Sequence, residues 1–544
     1  MTLNRESLQN TEFWESNHIE LPAFDIQQIE KQTHAAPQWI HFGAGNIFRG
    51  FIARLHQVIL NAGLAETGII AAESFDPEII DKIYAPHDNL SLMVGLKPDG
   101  STRKEIIAAA VEALKAEMSQ KDDWSRLQEI FRHSSLQMVS FTITEKGYAI
   151  RGFDGSLISI VREDTEKGPD QVIHVMSVVT SLLHSRFLAG GHPIALVSMD
   201  NCSHNGEKLK QAVLDIAALW VENNHVDKAF VDYLSDPTRV AWPWTMIDKI
   251  TPRPAQEIED SLTEAGISGM QPVITSRNTY IAPFVNAEIP EYLVVEDTFP
   301  NGRPPLEKAG VYFADRETVN QTERMKVTTC LNPLHTALAV FGCLLGYRSI
   351  ADEMKDPDLK SLVEEIGYSE GVPVVTDPKI IRPQDFIREV IEERLPNPYI
   401  PDMPQRIATD TSLKVGIRFG ETIKAYIADP DLDVQSLKFI PLAIAAWLRY
   451  LLAIDDECSP MEISSDPMRE ELQGMLTGIT VGNPESGRSK LDPVLSKASI
   501  FGTDLTACGL STIIEDYFCR MLDGKGAVRK VLQETLRSAA DNNS

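Results

Sequence analysis

The sequence predicts an α/β protein in two parts: an N-terminal Rossmann-like doubly wound parallel sheet and a mostly α-helical C-terminal domain. In the first part, short apolar runs alternate with helical stretches, as they do in sheets built from βαβ units. From about Glu317 onward, long amphipathic helical patterns dominate and strand patterns become scarce. We therefore expect a polar lead-in over residues 1–37, a sheet domain over 38–305 and a helical domain over 306–544.

The first domain opens with a strand, a glycine turn and a helix. A strand is predicted at Trp39–Phe42, and helical periodicity runs from Phe48 to Leu60, with Gly43-Ala44-Gly45 between them. This order is the opening of a nucleotide-binding βαβ unit. Further strands are predicted at 68–72, 137–143 and 193–198, and helices at 105–118 and 171–186.

The second domain is predicted from helical periodicity. Apolar residues recur at helical spacing in the segments 333–345, 385–394, 437–453, 467–476 and 526–539. Thr298–Lys308 is rich in proline and glycine, which indicates a connection between the two domains.

Composition limits the possible partners. A net charge of −27 disfavours both nucleic acid and anionic membranes. The six cysteines form no C-x-x-C pair, which is typical of reduced thiols in a cytoplasmic protein. Apolar runs such as 439–454 are too short to cross a bilayer. We expect a cytoplasmic protein, with a monomer or a homodimer both open.

The glycine turn is predicted to bind the pyrophosphate of a dinucleotide. Gly43 and Gly45 permit a tight turn and close approach of the backbone. The following helix offers free N–H groups and the positive end of its dipole. Phe48 replaces the third glycine of the G-x-G-x-x-G pattern, so this signal alone leaves an ordinary glycine turn open.

Two acids follow the second predicted strand. Glu73 and Asp76 lie where a carboxylate can accept hydrogen bonds from the adenosine ribose hydroxyls. A carboxylate there would repel a 2′-phosphate, so the position favours NAD over NADP. The alternative is that one or both are solvated loop acids.

A lysine followed shortly by N-x-x-H marks the second part of the chain, at Lys326 and Asn332-Pro333-Leu334-His335. This pattern resembles the signature of the polyol-specific long-chain dehydrogenases and reductases, the mannitol dehydrogenase family, and the chain is closest in character to its hexuronate reductases. Further segments resemble that family in the same order: GAGNIFRG (43–50), TITEKGY (142–148), SMDNCSHNG (198–206), TMIDKITP (245–252), EDTFPNGRPPLE (296–307) and RIATDTSLK (406–414). The resemblance covers most of the chain.

The resemblance implies a metal-independent, NAD-dependent oxidoreductase that acts on a sugar-derived alcohol or a sugar acid. It implies proton transfer by Lys326, with Asn332 and His335 at the reacting oxygen. Substrate contacts are expected at Asn201, Asp248, Arg406 and Lys414. Cofactor contacts are expected at Gly43, Gly45, Asn46, Phe48, Arg49, Glu73, Asp76 and Thr144.

The residue types suit this chemistry. Hydride transfer from an alcohol requires removal of the hydroxyl proton as the carbonyl forms. A lysine can be that base where burial and nearby cations lower its pKa from about 10.4 towards neutrality. Neutral donors such as asparagine and histidine can hold the developing alkoxide. In the reductive direction Lys326 would act as the acid.

The spacing within this segment departs from the family pattern. Five residues separate Lys326 from Asn332, where relatives have four. On a straight α-helix, Lys326 and His335 would then lie about 180° apart. Pro333 favours a new helix with Asn332 as its N-cap, and a π-bulge between Thr328 and Asn332 is the alternative. Either predicts a break in helical hydrogen bonding between Thr328 and Pro333.

The expected reaction is reduction of a keto-hexuronate, D-fructuronate to D-mannonate, with NADH. The substrate carboxylate would need a cation, with candidates Arg406, Lys414, Arg324 and Lys249. Oxidation of mannitol at carbon 2 and reduction of D-tagaturonate remain alternatives. From other classes, an epimerase that retains its NAD and a non-catalytic nucleotide-binding protein stay open.

Overall fold

The structure is a computed structural model that describes residues 1–152 and 154–542. It contains two compact units. The first comprises Met1–Lys97 and Ser101–Asn320, and the second comprises Pro98–Gly100 and the chain from Gln321 onward. The chain passes from the first unit to the second within a helix, Arg316–Met325.

The strands all belong to the first unit. They are β1 (Ile19–Glu20), β2 (Trp39–Phe42), β3 (Ile69–Glu73), β4 (Ser91–Leu96), β5 (Thr102–Ile107), β6 (Ala110–Lys115), β7 (Met138–Phe141), β8 (Ile194–Ser198), β9 (Val240–Ala241), β10 (Thr245–Asp248), β11 (Val273–Ile274), β12 (Tyr280–Ile281), β13 (Phe284–Glu288), β14 (Tyr292–Glu296) and β15 (Tyr312–Ala314).

The main sheet has six parallel strands in the order β6-β3-β2-β7-β8-β9. The strand order reverses at β2, so the sheet is doubly wound and its switch point lies between β2 and β7. This confirms the predicted Rossmann-like fold. Smaller sheets have the orders β1-β5-β4-β13, β10-β14-β15 and β11-β12.

Alternate residues of the main sheet enter two separate apolar cores. On β2, Trp39 belongs to one core, whereas Ile40 and Phe42 belong to the other. A parallel sheet is covered on both faces, so its strands are apolar on both sides. This explains why β2, β3 and β8 could be predicted from continuous apolar runs.

The helices of the first unit are α1 (Thr11–Ser16), α2 (Ile26–Ala35), α3 (Ala53–Asn61), α4 (Lys121–Arg132), α5 (Thr144–Tyr148), α6 (Ser159–Lys167), α7 (Val175–Leu188), α8 (Asn205–Glu222), α9 (Lys228–Ser235) and α10 (Gln256–Glu264). Phe48–Ile52 and Ile80–Tyr84 are π-helical, and Ser7–Gln9, Ala85–His87 and Leu306–Ala309 are 3₁₀-helical. The polar lead-in over 1–37 thus contains α1, β1 and α2.

Two sequence predictions for the first unit are wrong. The segment 105–118, predicted as a helix, contains the end of β5 and all of β6. Pairing of β6 with β3 at the sheet edge overrides the helical propensity. Thr298–Lys308 does not connect the two units, because β15 follows it and pairs with β14 inside the first unit.

In the described chain the second unit is helical, as predicted. After α11 (Arg316–Met325), its α-helices are α12 (Asn332–Leu345), α13 (Ile350–Glu353), α14 (Pro357–Glu364), α15 (Pro383–Glu389), α16 (Pro404–Ile407), α17 (Glu421–Ala428), α18 (Phe439–Tyr450), α19 (Arg469–Met475), α20 (Asp492–Leu495), α21 (Ala498–Phe501), α22 (Ser511–Met521) and α23 (Ala527–Asn542).

Short helical turns of other types interrupt these helices. Segments Lys326–Cys330, Glu365–Gly371, Val390–Arg394 and Gly416–Gly420 are π-helical, and Val372–Val374, Thr411–Leu413, Val434–Ser436 and Pro484–Gly487 are 3₁₀-helical. π-helical turns often occur at functional sites.

One stretch, Arg316–Leu345, is long and apolar enough to cross a membrane by length and composition alone. It is longer than the apolar run at 439–454, which the sequence indicated as too short to cross a bilayer. However, 72% of its most apolar window is buried inside the protein, as expected for a core helix.

Candidate cofactor and active-site residues

The glycine turn, Gly43-Ala44-Gly45, lies at the carboxyl end of β2. Gly43 has φ +106°, and a Cβ there would collide with the carbonyl oxygen of Thr142 after β7. Gly45 differs, because a Cβ there would meet no protein atom within 4 Å. The turn is thus tightly packed on the protein side and open on the other, which suits close approach of a ligand to the backbone.

Two buried side chains hold Ala44 between the glycines. Its N–H donates to Glu73 Oε2 at 2.8 Å, and its carbonyl accepts from Tyr84 Oη at 2.9 Å. Glu73 Oε1 also accepts from the amides of Phe75 and Asp76. Burial raises the pKa of the Glu73 carboxyl, and these amides act against it. Glu73 therefore supports the glycine turn, a role that the sequence did not indicate.

Three residues expected at the cofactor have buried side chains. Phe48 is fully buried and stacks on the His41 ring at 4.5 Å. Arg49 is buried and donates to Ala282 O and Asn46 Oδ1, both at 2.8 Å. Asp76 is buried and accepts from Thr275 Oγ1 at 2.5 Å. The polar groups of Arg49 and Asp76 thus bond within the protein.

Two cavities in the first unit share lining at the glycine turn. The smaller has a volume of about 440 Å³, and the larger about 1050 Å³. Gly45, Thr142 and Thr144 line both, at the switch point of the sheet. The larger also includes Gly43 and Glu73, and the smaller also includes Asn46 and Asn201. Most of the expected cofactor residues are therefore brought together here.

Thr144 has an unusual backbone conformation. Its φ is +64°, in the left-handed region that β-branched residues avoid. Asp200, after β8, holds it there: Oδ1 accepts from the amide of Thr144 at 2.9 Å, and Oδ2 accepts from Ile143 N at 3.0 Å and Tyr148 Oη at 2.6 Å. Burial raises the pKa of Asp200. Asp200 was not among the predicted residues, although it precedes Asn201.

The predicted substrate contacts of the first unit are placed differently. Asn201 is exposed and lines the smaller cavity. Asp248 ends β10, is buried, and is not among the residues that line this cavity in the described chain, whereas its neighbours Ile247 and Lys249 are. Lys249 Nζ donates to Glu288 O at 2.5 Å and lies 2.9 Å from Glu291 Oε2.

In the second unit, helical hydrogen bonding breaks between Thr328 and Pro333, as predicted. Lys326–Cys330 is a π-turn, closed by donation from Leu331 N to Lys326 O at 3.1 Å. Leu331 has φ −129° and is the N-cap of α12, so Asn332 is the first helical residue. The N-cap interpretation of Asn332 is therefore wrong. A π-turn is present, as in the alternative prediction, but it covers Lys326–Cys330 and not the predicted stretch between Thr328 and Asn332. Lys326 itself is buried.

His335, one turn into α12, faces an acid. Its Nε2 lies 3.3 Å from Asp402 Oδ2, and Arg406 pairs with the other oxygen of the same carboxylate. Burial raises the pKa of Asp402, but His335 and Arg406 together hold it below its usual range. Asp402, which was not among the predicted residues, therefore links two predicted site residues.

Arg406, Lys414 and Arg418 form a cation cluster in the second unit. Lys414 Nζ donates to Thr409 O, and Arg418 Nη1 donates to Thr336 Oγ1 at 2.5 Å. Burial, followed by the charge of Arg418, lowers the pKa of Lys414. Burial also lowers the pKa of Arg418 to about 10. Arg418 was not among the predicted residues, since nothing local in the sequence sets it apart from a surface arginine.

These features define a dinucleotide-binding Rossmann domain joined to a helical unit with a buried lysine before a helix. The chain belongs to the mannitol dehydrogenase family: the mannitol dehydrogenase Rossmann domain matches residues 37–308, and the mannitol dehydrogenase C-terminal domain matches residues 318–516. It is an NAD-dependent oxidoreductase of a sugar acid or polyol, as the sequence predicted.

Individual relatives cover nearly the whole chain. A D-mannonate oxidoreductase of Thermotoga maritima is 54% identical, over 98% of this chain and 99% of its own. A D-mannonate oxidoreductase of Escherichia coli is 26% identical, over 89% and 91%. The structure of Pseudomonas fluorescens mannitol 2-dehydrogenase with NAD and D-mannitol is similar at a TM-score of 0.67 and 25% identity, covering 99% of this chain and 100% of that one.

Proposed function

We propose that this protein reduces D-fructuronate to D-mannonate with NADH and catalyses the reverse oxidation. The observation that carries this proposal is the 54% identity, over nearly the full length of both chains, to a D-mannonate oxidoreductase. Identity to mannitol 2-dehydrogenases is about half as high, for example 27% for the Neosartorya fischeri enzyme. The sugar acid is therefore preferred to mannitol as substrate.

The first unit suits a dinucleotide. The open side of Gly45 gives a pyrophosphate access to backbone amides, and the two cavities lined by the glycine turn offer room for the ligand. NADH, when bound, supplies the hydride. We assign cofactor contacts to Gly43, Gly45, Asn46 and Thr144. Glu73 supports the glycine turn by accepting a hydrogen bond from Ala44 N.

The second unit supplies the proton. In this proposal the Lys326 ammonium donates a proton to the substrate oxygen as the carbonyl is reduced, and its amine takes that proton back in the oxidation. Asn332 and His335 hold the oxygen, and Asp402 fixes the orientation of the His335 ring. This assignment needs no metal ion. Addition of EDTA should therefore leave turnover unchanged.

A steady-state assay tests the proposal. D-Fructuronate, D-tagaturonate and D-fructose are each offered with NADH, and absorbance at the NADH band is followed. We expect the highest kcat/KM with D-fructuronate. Efficient reduction of D-fructose without turnover of either uronate would contradict it. Interconversion of sugar acids without net NADH consumption would instead indicate an epimerase.

A further inference from the structure

Arg418 is held close to the start of α12 by its local backbone. It lies on the π-turn Gly416–Gly420, where a Cβ at Gly416 would approach Ile500 O to 2.6 Å and one at Gly420 would collide with Phe501 O. Both glycines let this π-turn pack directly on the end of α21. The close packing of this π-turn on α21 therefore fixes the position of the Arg418 backbone.

The Arg418 side chain ends against the predicted catalytic segment. Its Nη1 donates to Thr336 Oγ1, and the same hydroxyl donates to Asn332 O at 2.9 Å. Thr336 directly follows His335 in α12. One hydroxyl thus ties the guanidinium to the first turn of the helix that carries both Asn332 and His335.

Arg418 is also a cation without an acid partner. Across the described residues, no carboxylate oxygen lies within ion-pair distance of its guanidinium, and burial alone lowers its pKa. Removing a charge from water without a counter-charge is unfavourable. A guanidinium carries five N–H donors in a planar fork, and the bond to Thr336 uses only one of them.

The other candidate cations differ in this respect. Arg406 pairs with Asp402, and the largely exposed Arg324 pairs with Glu421. Lys249, in the first unit, donates to a carbonyl and pairs with Glu291. Lys414 donates to Thr409 O, and although burial lowers its pKa, the nearby charges of Asp410 and Asp466 act against that shift. Arg418 is the member of this set with the most unbalanced charge.

We propose that Arg418 binds the carboxylate of the sugar acid and so makes the enzyme select acids over neutral polyols. The inference rests on the proposed function, since it requires a carboxylated substrate. A guanidinium presents paired N–H groups that match the two oxygens of a carboxylate, and such charge-assisted bonds are stronger than neutral ones. Thr336 sets the direction of the fork relative to the reacting end.

The test compares two ligands that differ only at the selected group. D-Mannonate has a carboxylate where D-mannitol has a CH₂OH group, and both are measured as inhibitors of D-fructuronate reduction by the full-length enzyme with NADH. Arg418→Gln should raise the KM for D-fructuronate and the Ki of D-mannonate by roughly 10- to 100-fold. The Ki of D-mannitol and the Kd of NADH should stay nearly constant.

Two further variants separate this role from folding. Arg488→Gln is the matched control, because Arg488 is exposed and, among the described residues, forms an ion pair only with Glu485 in the same unit. Thr336→Val keeps the charge of Arg418 but removes its anchor, and should produce a smaller rise confined to the acid ligands. If Arg418→Gln lowers the melting temperature strongly, Thr336→Val and Arg418→Lys supply the same comparison.

The outcomes distinguish the inference from the proposed function. If the wild-type enzyme reduces no uronate, the proposed function fails. If it reduces D-fructuronate but Arg418→Gln and Thr336→Val change the constants for D-mannonate and D-mannitol by the same factor, only the role of Arg418 fails. A selective loss for the acid supports both.

Discussion

The glycine turn of the first unit and the cation cluster of the second are held in place by different means. At the glycine turn, packing and buried hydrogen bonds fix the backbone from one side, and the other side is open. In the cation cluster, side chains are fixed by single bonds to hydroxyl, carbonyl or carboxylate oxygens, and the charges remain incompletely balanced. Steric packing determines the structure of the first region, and electrostatic interactions dominate in the second. The two regions should therefore respond to different substitutions.

The largest expected effect is that of removing the proposed proton donor. Lys326→Ala should lower kcat by about 10²- to 10⁴-fold, which is the usual contribution of general acid–base catalysis. NADH binding should change little, because the Rossmann domain lies in the first unit. Stopped-flow turnover and NADH fluorescence titration measure the two effects separately. Full activity of this variant would refute the role of Lys326.

The two glycines of the glycine turn provide a matched pair for the next effect. Gly43→Ala places a Cβ against Thr142 O at a positive φ, which should cost about 1–3 kcal/mol of unfolding free energy. Gly45→Ala meets no protein atom, so the melting temperature should stay at the wild-type value while NADH binds more weakly. Thermal unfolding and NADH titration of both variants measure this difference. Equal stability losses in the two would contradict a turn packed on one side only.

This contrast also explains what could be predicted from the sequence. Local backbone rules predict the turn at Gly43, the strands with continuous apolar runs and the helix break near Pro333. Contacts between distant segments determine three other features: the hydrogen-bond partners of Ala44, the bond that Asp200 accepts from Thr144, and the position of Arg418. Periodicity carries no information about such contacts. The burial of Phe48, Arg49 and Asp76 was not predicted, since it depends on contacts with segments distant in the sequence.

A third prediction concerns Thr144, which lines both cavities and has a positive φ. Asp200→Asn removes one acceptor from the group that holds Thr144, Ile143 and Tyr148, and should raise the Kd of NADH about tenfold, corresponding to about 1.4 kcal/mol. Thr144→Gly removes the cost of the positive φ, because glycine adopts that conformation readily. The double variant should therefore regain part of the lost affinity.

The measurement is a double-mutant cycle of NADH affinity in four proteins. Coupling between positions 144 and 200 is expected to be positive, with Asp200→Asn less harmful in the glycine background. Strictly additive effects would show that Asp200 acts on the cavity by another route.

A final prediction tests whether an unbalanced charge in the second unit lowers stability even away from the cation cluster. Glu353 is fully buried, neither of its carboxyl oxygens has a hydrogen-bond partner among the described residues, and burial raises its pKa well above the usual value. The folded state therefore keeps the Glu353 proton to higher pH than the unfolded state does. Stability from this group is complete below about pH 4.5 and is lost as pH rises towards the folded pKa.

Glu353→Gln removes this titration while keeping the shape of the side chain. Its free energy of unfolding should exceed that of the wild type by ~1–3 kcal/mol near neutral pH, and the difference should shrink as pH falls. Denaturant unfolding at several pH values measures the slope. Glu485→Gln, at an exposed glutamate of the same unit, serves as control and should show no such pH-dependent gain. A constant difference at all pH values would mean that packing, and not the buried charge, sets the cost.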